Sequence, residues 1–339
     1  MKERQYREDA GGIRDSQGRL IDYLRVSVTD RCNLRCIYCM PEEGVEWRAH
    51  EDMLSFEELL RCCRVMAAMG IQKIKVTGGE PLVRRGTAGF IAALKALPGI
   101  RQVTLTTNGL LLEGELEGLR AAGLDGVNIS LDSLEGETFR RITRRDGHEG
   151  ILRVIRRAAA AGLLVKVNCV PLRGINDHEL AAIAGLAREE VAAVRFIELM
   201  PLGKAFSYEP LTGEEIAAIL ERRYGKLNPF AGKLGNGPAR YYSAEGFSGV
   251  IGFISPLSRC FCESCNRFRL TSQGVLKPCL SSGIGVDLRA PLRSGADDGV
   301  LREAVADAAA RKPAQHTFLA PAGTEDAESR PREMFRIGG

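Results

Sequence analysis

The sequence predicts an α/β fold built on a parallel sheet, and three observations carry that prediction. From residue 21 to about 200, short β-branched segments alternate with longer stretches of helical period. The helical stretches close on glycine, which suits a helix C-terminus, and alternating βα units make a parallel sheet. Thr106, Asn108, Ser130, Asp132, Lys166, Asn168 and Glu198 fall in the second half of strand candidates. Parallel α/β folds place ligands at the C-terminal strand ends, so these side chains are expected to line one mouth.

Taken in order, the expected strands are LRVSV (24–28), KIKVT (73–77), VTLTT (103–107), GVNISLD (126–132), LVKVNCV (164–170) and AVRFIEL (193–199). Between them, SFEELLRCCRVMAAMG and GHEGILRVIRRAAAAG read as amphipathic helices. Six such units fit an open doubly wound sheet or a partial barrel, and periodicity does not choose. After residue 200 the pattern changes. MPLGKAFSYEP is punctuated by Pro and Gly, 212–224 has helical period, and NPFAGKLGNGPARYYSAEGFSG is glycine-rich with short strand candidates. A second, smaller unit is expected there, followed by a polar, mobile APAGTEDAESRPRE and a terminal MFRIGG.

With 45% hydrophobic and 27% charged residues, the chain should bury a sizeable core. The charged opening MKERQYREDAGG lacks the apolar segment of a signal peptide, and no run approaches a membrane span, so a cytoplasmic protein is expected. In a reducing compartment, ten cysteines point to metal ligands or buried apolar packing rather than disulfides. A net charge of +4 does not by itself imply nucleic-acid binding. The basic run FRRITRR (139–145) reads equally as a solvated helix face or an anion site.

Two cysteine sets carry the chemistry. Cys32, Cys36 and Cys39 stand in CNLRCIYC with no fourth Cys or His nearby, the next being His50 and Cys62. A closed zinc site takes four ligands. Three thiolates on a four-iron cluster leave one iron open to a small molecule. Cys262, Cys265 and Cys279 form a second set in FCESCNRFRL and LKPCLSS, with Cys260 two residues upstream. That set reads either as a structural zinc knot using Cys260 or as a second three-ligand iron cluster. Cys62, Cys63, Cys169 and Cys260 are assigned to packing.

C-x3-C-x2-C with Tyr38 before the last cysteine, just after the first strand, resembles the cluster motif of radical S-adenosylmethionine enzymes. TGGEP (77–81) follows a strand and resembles the segment whose backbone meets the methionine amino group, at Gly79; Ser130 and Met200 match further S-adenosylmethionine contacts. In that superfamily the open iron chelates S-adenosylmethionine, and reductive cleavage gives a 5′-deoxyadenosyl radical. Over almost the whole chain, DYLRVSVTDRCNLRCIYCMP, KIKVTGGEPL, LTTNGLLL, NISLDSL, RFIELMPLG, FCESCNRFRL and the terminal GG resemble the GTP 3′,8-cyclase family, molybdenum cofactor biosynthesis protein A.

That resemblance implies a partial (βα)6 TIM-like barrel at 21–225, after an N-terminal tail at 1–20. A smaller C-terminal domain at 226–339 closes the barrel. It implies two [4Fe-4S] clusters facing one cavity, the first activating S-adenosylmethionine and the second holding GTP. The radical would take hydrogen from C3′ of the ribose, and C3′ would then join C8 of guanine. The cyclised dihydro-GTP would pass to a cyclic pyranopterin monophosphate synthase; an external electron donor and a homodimer are also implied. Arg25, Lys75, Thr106, Lys166, Arg267 and Arg269 match GTP contacts, and several cations suit a triphosphate. Lys75 stands where the family often has arginine, and the chain has no P-loop motif. The tail ending in Gly338 and Gly339 resembles one that reaches the cavity and supports activity. Two rivals are a peptide-modifying radical enzyme and a zinc-stabilised nucleic-acid-binding protein. The second lacks aromatic residues interleaved with its basic stretches.

Overall fold

The β-branched runs become strands and the amphipathic runs become helices in a computed structural model, which describes residues 12–44, 50–232, 234–318 and 334–337. A short antiparallel hairpin comes first, β1 (Ile13–Arg14) and β2 (Leu20–Ile21). Then follow β3 (Tyr23–Ser27), α1 (Phe56–Ala68), β4 (Lys73–Thr77), α2 (Thr87–Lys95), β5 (Gln102–Thr107), α3 (Leu112–Ala121) and β6 (Gly126–Ser130). Next come α4 (Gly136–Thr143), α5 (His148–Ala160), β7 (Leu164–Cys169), α6 (Leu180–Gly185), β8 (Ala193–Ile197) and α7 (Gly213–Tyr224). The C-terminal part adds β9 (Asn228–Pro229), β10 (Arg240–Ser243), β11 (Val250–Ile254), β12 (Arg267–Leu270), β13 (Val275–Lys277), β14 (Val286–Asp287), α8 (Arg289–Arg293) and α9 (Asp298–Ala310).

Strands β3 to β8 lie side by side in sequence order, every pair parallel. A doubly wound sheet reverses its order at a switch point; this one never does, so the winding is that of a partial barrel. The C-terminal strands extend both edges. β12 pairs parallel with β3 and carries β13 and β14, while β11 pairs parallel with β8 and carries β10 and β9, giving one twelve-stranded sheet.

Alternation along each strand separates two faces. In β5, Val103, Leu105 and Thr107 are buried while Gln102, Thr104 and Thr106 are partly open. The buried face meets the helices. Ser55 and Glu58 cap α1 reciprocally, and α1 turns Leu59, Cys62, Cys63, Val65 and Met66 into the core. Burying each such apolar side chain stabilises by about 1.5–3 kcal/mol. Cys62, Cys63 and Cys169 are at most 1% exposed, as expected of packing residues.

The basic run at 139–145 has two sides. Arg140, Arg141 and Arg145 face solvent, while Phe139, Ile142 and Thr143 are buried. The carbonyls of Ile142 and Thr143 accept the N–H groups of Ile37 and Arg35 at 2.9 and 3.0 Å. This helix end therefore holds the first cysteine loop.

Candidate active site

The partly open faces of the central strands and of β12 enclose a cavity of about 370 Å³. All sixteen residues matched in the sequence to cluster, S-adenosylmethionine or GTP positions line it: the six cysteines of both sets, with Tyr38, Gly79, Ser130, Met200, Arg25, Lys75, Thr106, Lys166, Arg267 and Arg269. The cysteine sets sit at opposite ends along the strand direction. Cys32 follows the C-terminal end of β3, whereas Cys265 precedes the N-terminal end of β12, which runs parallel to β3. A five-residue strand spans on the order of 15 Å.

The first set is shaped by backbone. N–H groups of Cys39 and Met40 both donate to the Cys36 carbonyl at 2.9 Å, closing a turn. Arg35 Nη1 donates to the carbonyls of Cys32 and Leu34. The Cys32 sulfur accepts from Leu34 N–H at 3.4 Å and lies 3.8 Å from Asn108 Nδ2, which also donates to Asn33 Oδ1 at 2.7 Å. Burial pushes the Cys32 thiol up to about 11 and the Cys39 thiol to about 12. Such thiols become thiolates only beside a cation.

The glycine pair at 78 and 79 meets this loop. A Cβ on Gly78 would lie 2.7 Å from the Thr29 carbonyl oxygen, and one on Gly79 would lie 2.5 Å from that of Arg31. Only glycine allows so close an approach. Glu80 is fully buried beneath it, accepting from Thr107 Oγ1, Asn108 N–H and Leu82 N–H at 2.7–3.0 Å; burial raises its carboxyl to about 7. Tyr38 donates its hydroxyl to Asp132 Oδ2 at 2.6 Å, and burial lifts Asp132 to about 6.

Cations fill the middle of the cavity. Arg269, Arg25 and Lys75 are register neighbours on β12, β3 and β4, so three like charges lie side by side. Burial holds Lys75 well below the usual lysine range, and Arg195, Arg25, Lys166 and Arg267 all push the same way. Lys166 is lowered to about 8 by burial and by Arg195, and its ammonium donates to the Leu234 carbonyl. Adjacent buried like charges are costly. A polyanion would relieve them.

At the other end, Cys265 N–H donates to the Cys262 carbonyl at 3.1 Å, and Cys279 Sγ lies 3.4 Å from Ser281 Oγ. Burial, then contact with Cys260, lifts the Cys262 thiol to about 12. Burial would also raise Cys265, but Arg267 and Lys312 bring it down to about 7. The Arg267 guanidinium carbon lies 5.1 Å from the Phe261 ring centre. Met334–Ile337 form a short turn whose Phe335 and Ile337 are buried; Met334 and Phe335 line the cavity, and Arg269 Nη1 donates to the Ile337 carbonyl at 3.4 Å. Gly338 and Gly339, with all of APAGTEDAESRPRE, lie outside the described residues.

Taken as three cysteines, each set is spaced more widely than a lone zinc draws its ligands. Zinc–sulfur bonds of about 2.3 Å draw ligands to within about 4 Å of one another. Among the described residues, neither three-cysteine set gathers its sulfurs within 4.8 Å.

One assignment is corrected. Cys260 does not pack with the other apolar cysteines but is exposed, because it lies in the irregular surface segment between the turn at 256–259 and the second set. Its sulfur, that of Cys262 and a ring nitrogen of His316 lie within 4.8 Å of one another. Sequence reasoning also passed over Arg195, whose guanidinium donates to Asn168 Oδ1 at 2.9 Å and Asn128 Oδ1 at 2.6 Å in the cavity wall. A signal was present: it is a cation inside an apolar strand, like Lys75 and Lys166.

A barrel of parallel strands with three cysteines after its first strand defines a class, and residues 26–187 match the Radical SAM superfamily. The fold is similar to that of Streptococcus suis SuiB bound to S-adenosylmethionine, with a TM-score of 0.58 and 13% identity over 84% of this chain and 68% of that one. Residues 192–318 match the Molybdenum Cofactor Synthesis C family. The chain is 47% identical to the GTP 3′,8-cyclase of Heliobacterium modesticaldum, over 96% of this chain and 99% of that protein. It is 46% identical to that of Moorella thermoacetica, over 96% and 100%. The chain belongs to the GTP 3′,8-cyclase family of radical S-adenosylmethionine enzymes. That membership sets aside the zinc-stabilised nucleic-acid-binding alternative. Among the described residues, no helix is long and apolar enough to cross a membrane.

Proposed function

We propose that this chain is a radical lyase that cyclises GTP to (8S)-3′,8-cyclo-7,8-dihydroguanosine 5′-triphosphate in molybdenum cofactor biosynthesis. The observation that carries the reading is a single cavity with a three-cysteine set at each end and cations lining the wall between. Cys32, Cys36 and Cys39 would hold one [4Fe-4S] cluster, and Cys262, Cys265 and Cys279 a second. Bound there, the first cluster and S-adenosylmethionine would supply the radical chemistry.

The remaining work belongs to the chain's own side chains. Tyr38, Gly79, Ser130 and Met200 would seat S-adenosylmethionine. Arg25, Lys75, Thr106, Lys166, Arg267 and Arg269 would bind GTP, the cations neutralising its phosphates. Lys75 offers a point charge rather than the bidentate fork of an arginine. Enclosure in the barrel would keep water from the reacting carbon. The ordered Met334–Ile337 turn would bring Gly338 and Gly339 to the cavity. In this reading 21–225 is the radical-generating barrel and 226–339 the substrate-holding domain. The protein works in the cytoplasm as a homodimer, receives electrons from an external donor and supplies a cyclic pyranopterin monophosphate synthase.

Anaerobically purified protein should be brown with about eight irons per chain. Given GTP, S-adenosylmethionine and a strong reductant, it should release 5′-deoxyadenosine and a cyclised GTP. Deleting Gly338 and Gly339 should abolish cyclisation at unchanged iron content. A colourless protein with stoichiometric zinc would defeat the reading.

A further inference from the structure

Lys312 stands outside every motif described above, yet it is only 3% exposed. Its ammonium donates to the Arg267 carbonyl at 2.9 Å and to the Pro278 carbonyl at 2.6 Å. The first acceptor lies two residues after Cys265 and the second immediately before Cys279. One side chain therefore ties together the two segments that carry those cysteines. The ammonium also lies 5.8 Å from the centre of the Phe268 ring.

Arg19 completes the arrangement from the N-terminal hairpin. Its Nη1 donates to the Cys262 carbonyl at 2.7 Å and to the Ala314 carbonyl at 3.0 Å, and its Nη2 donates to the Pro313 carbonyl at 2.7 Å. A fully buried Asp15 holds Arg19 Nε at 2.6 Å. The backbone around each of the three cysteines is thus pinned by a cation, the half-buried Arg19 or the buried Lys312, and residues 312–314 join the two pins.

We propose that Lys312 is a positioning residue for the C-terminal cysteine set, forming with Arg19 a cationic clamp that fixes the ligand segments and favours the reduced state of a cluster there. The proposal rests on the reading that Cys262, Cys265 and Cys279 hold a cluster. An ammonium so deeply buried is expensive unless negative charge lies beside it, and three thiolates on a cluster provide that charge. Partners beyond the ligands orient them and tune the metal's potential. Reduction adds negative charge, so a fixed cation nearby makes reduction easier; its removal should make reduction harder.

The test uses the full-length chain with Cys32, Cys36 and Cys39 replaced by Ala, so that only the C-terminal set can take up iron. Iron content and the midpoint potential, followed by electron paramagnetic resonance, are compared for this parent, Lys312→Met and Lys312→Arg. Lys312→Met should shift the oxidised-to-reduced ratio at a fixed potential about tenfold toward the oxidised form, about 59 mV for one electron. Lys312→Arg, which keeps the charge, should restore most of that shift. A Lys312→Met cluster with parental iron content and potential overturns the proposal. If Lys312→Met takes up no iron, Lys312→Arg decides: recovery supports the clamp, and failure in a chain with parental circular dichroism overturns it. A parent that binds no iron instead defeats the two-cluster reading itself.

Discussion

The two cysteine sets have the same ligand count and a different balance of charge around them. Backbone N–H groups, Asn108, a glycine-lined backbone and one cation, Arg35, hold Cys32, Cys36 and Cys39, and the buried charges beside them, Asp132 and Glu80, are acidic. Cys262, Cys265 and Cys279 are instead pinned by Arg19 and Lys312 and neighboured by Arg267. Acidic surroundings disfavour a further electron, whereas basic ones favour it and attract anions. The first environment suits a strong reductant and the second a cluster that is more easily reduced. Ligand number alone would not distinguish them.

Exchanging the cysteines tests that contrast most severely. Replacing Cys32, Cys36 and Cys39 with Ala should abolish release of 5′-deoxyadenosine, with about half the iron retained. Replacing Cys262, Cys265 and Cys279 should also remove about half the iron and abolish cyclised GTP, but leave cleavage of S-adenosylmethionine detectable by chromatography. Equal loss of cleavage in both variants would show that the ends are not functionally separate.

A smaller effect is expected from the cations between the sets. Burial first, and then Arg195, hold Lys166 at about 8, so its ammonium is present below that pH and is lost as the pH rises through it. GTP affinity, measured by anaerobic calorimetry, should therefore fall above about pH 8. Lys166→Met should weaken binding about tenfold at pH 7, the worth of one charge-assisted hydrogen bond. It should also flatten that pH dependence. A Lys166→Met chain with the same pH profile would remove Lys166 from the phosphate site.

The smallest expected effect concerns Cys260. Because it is exposed, Cys260→Ser should leave iron content and melting temperature within error of the parent. Loss of about half the iron would make it a ligand of the second site.

What the sequence disclosed follows from the range of the interactions involved. The six central strands were legible because alternation and β-branching are local, and their ends shifted by one or two residues only. Both cysteine sets were legible by spacing, as was the glycine pair that the cysteine loop crowds. Arg19 and Lys312 were not, since their importance lies in carbonyl groups contributed by distant segments. Nor could period 2 reveal that β12 pairs with β3, an edge choice made in three dimensions. Cys260 was misplaced because cysteine is usually buried, and nothing local marks the surface segment that exposes it.

That edge pairing bears on how the chain is made. Tyr23 meets Arg267, about 240 residues later, so one side of β3 has no strand partner until nearly the whole polypeptide has been synthesised. Long-range pairings of this kind fold slowly, and an open strand edge invites association with other chains. The first strand of the main sheet to leave the ribosome is among the last to be covered, and chaperone protection of β3 during synthesis would act at the point of greatest exposure.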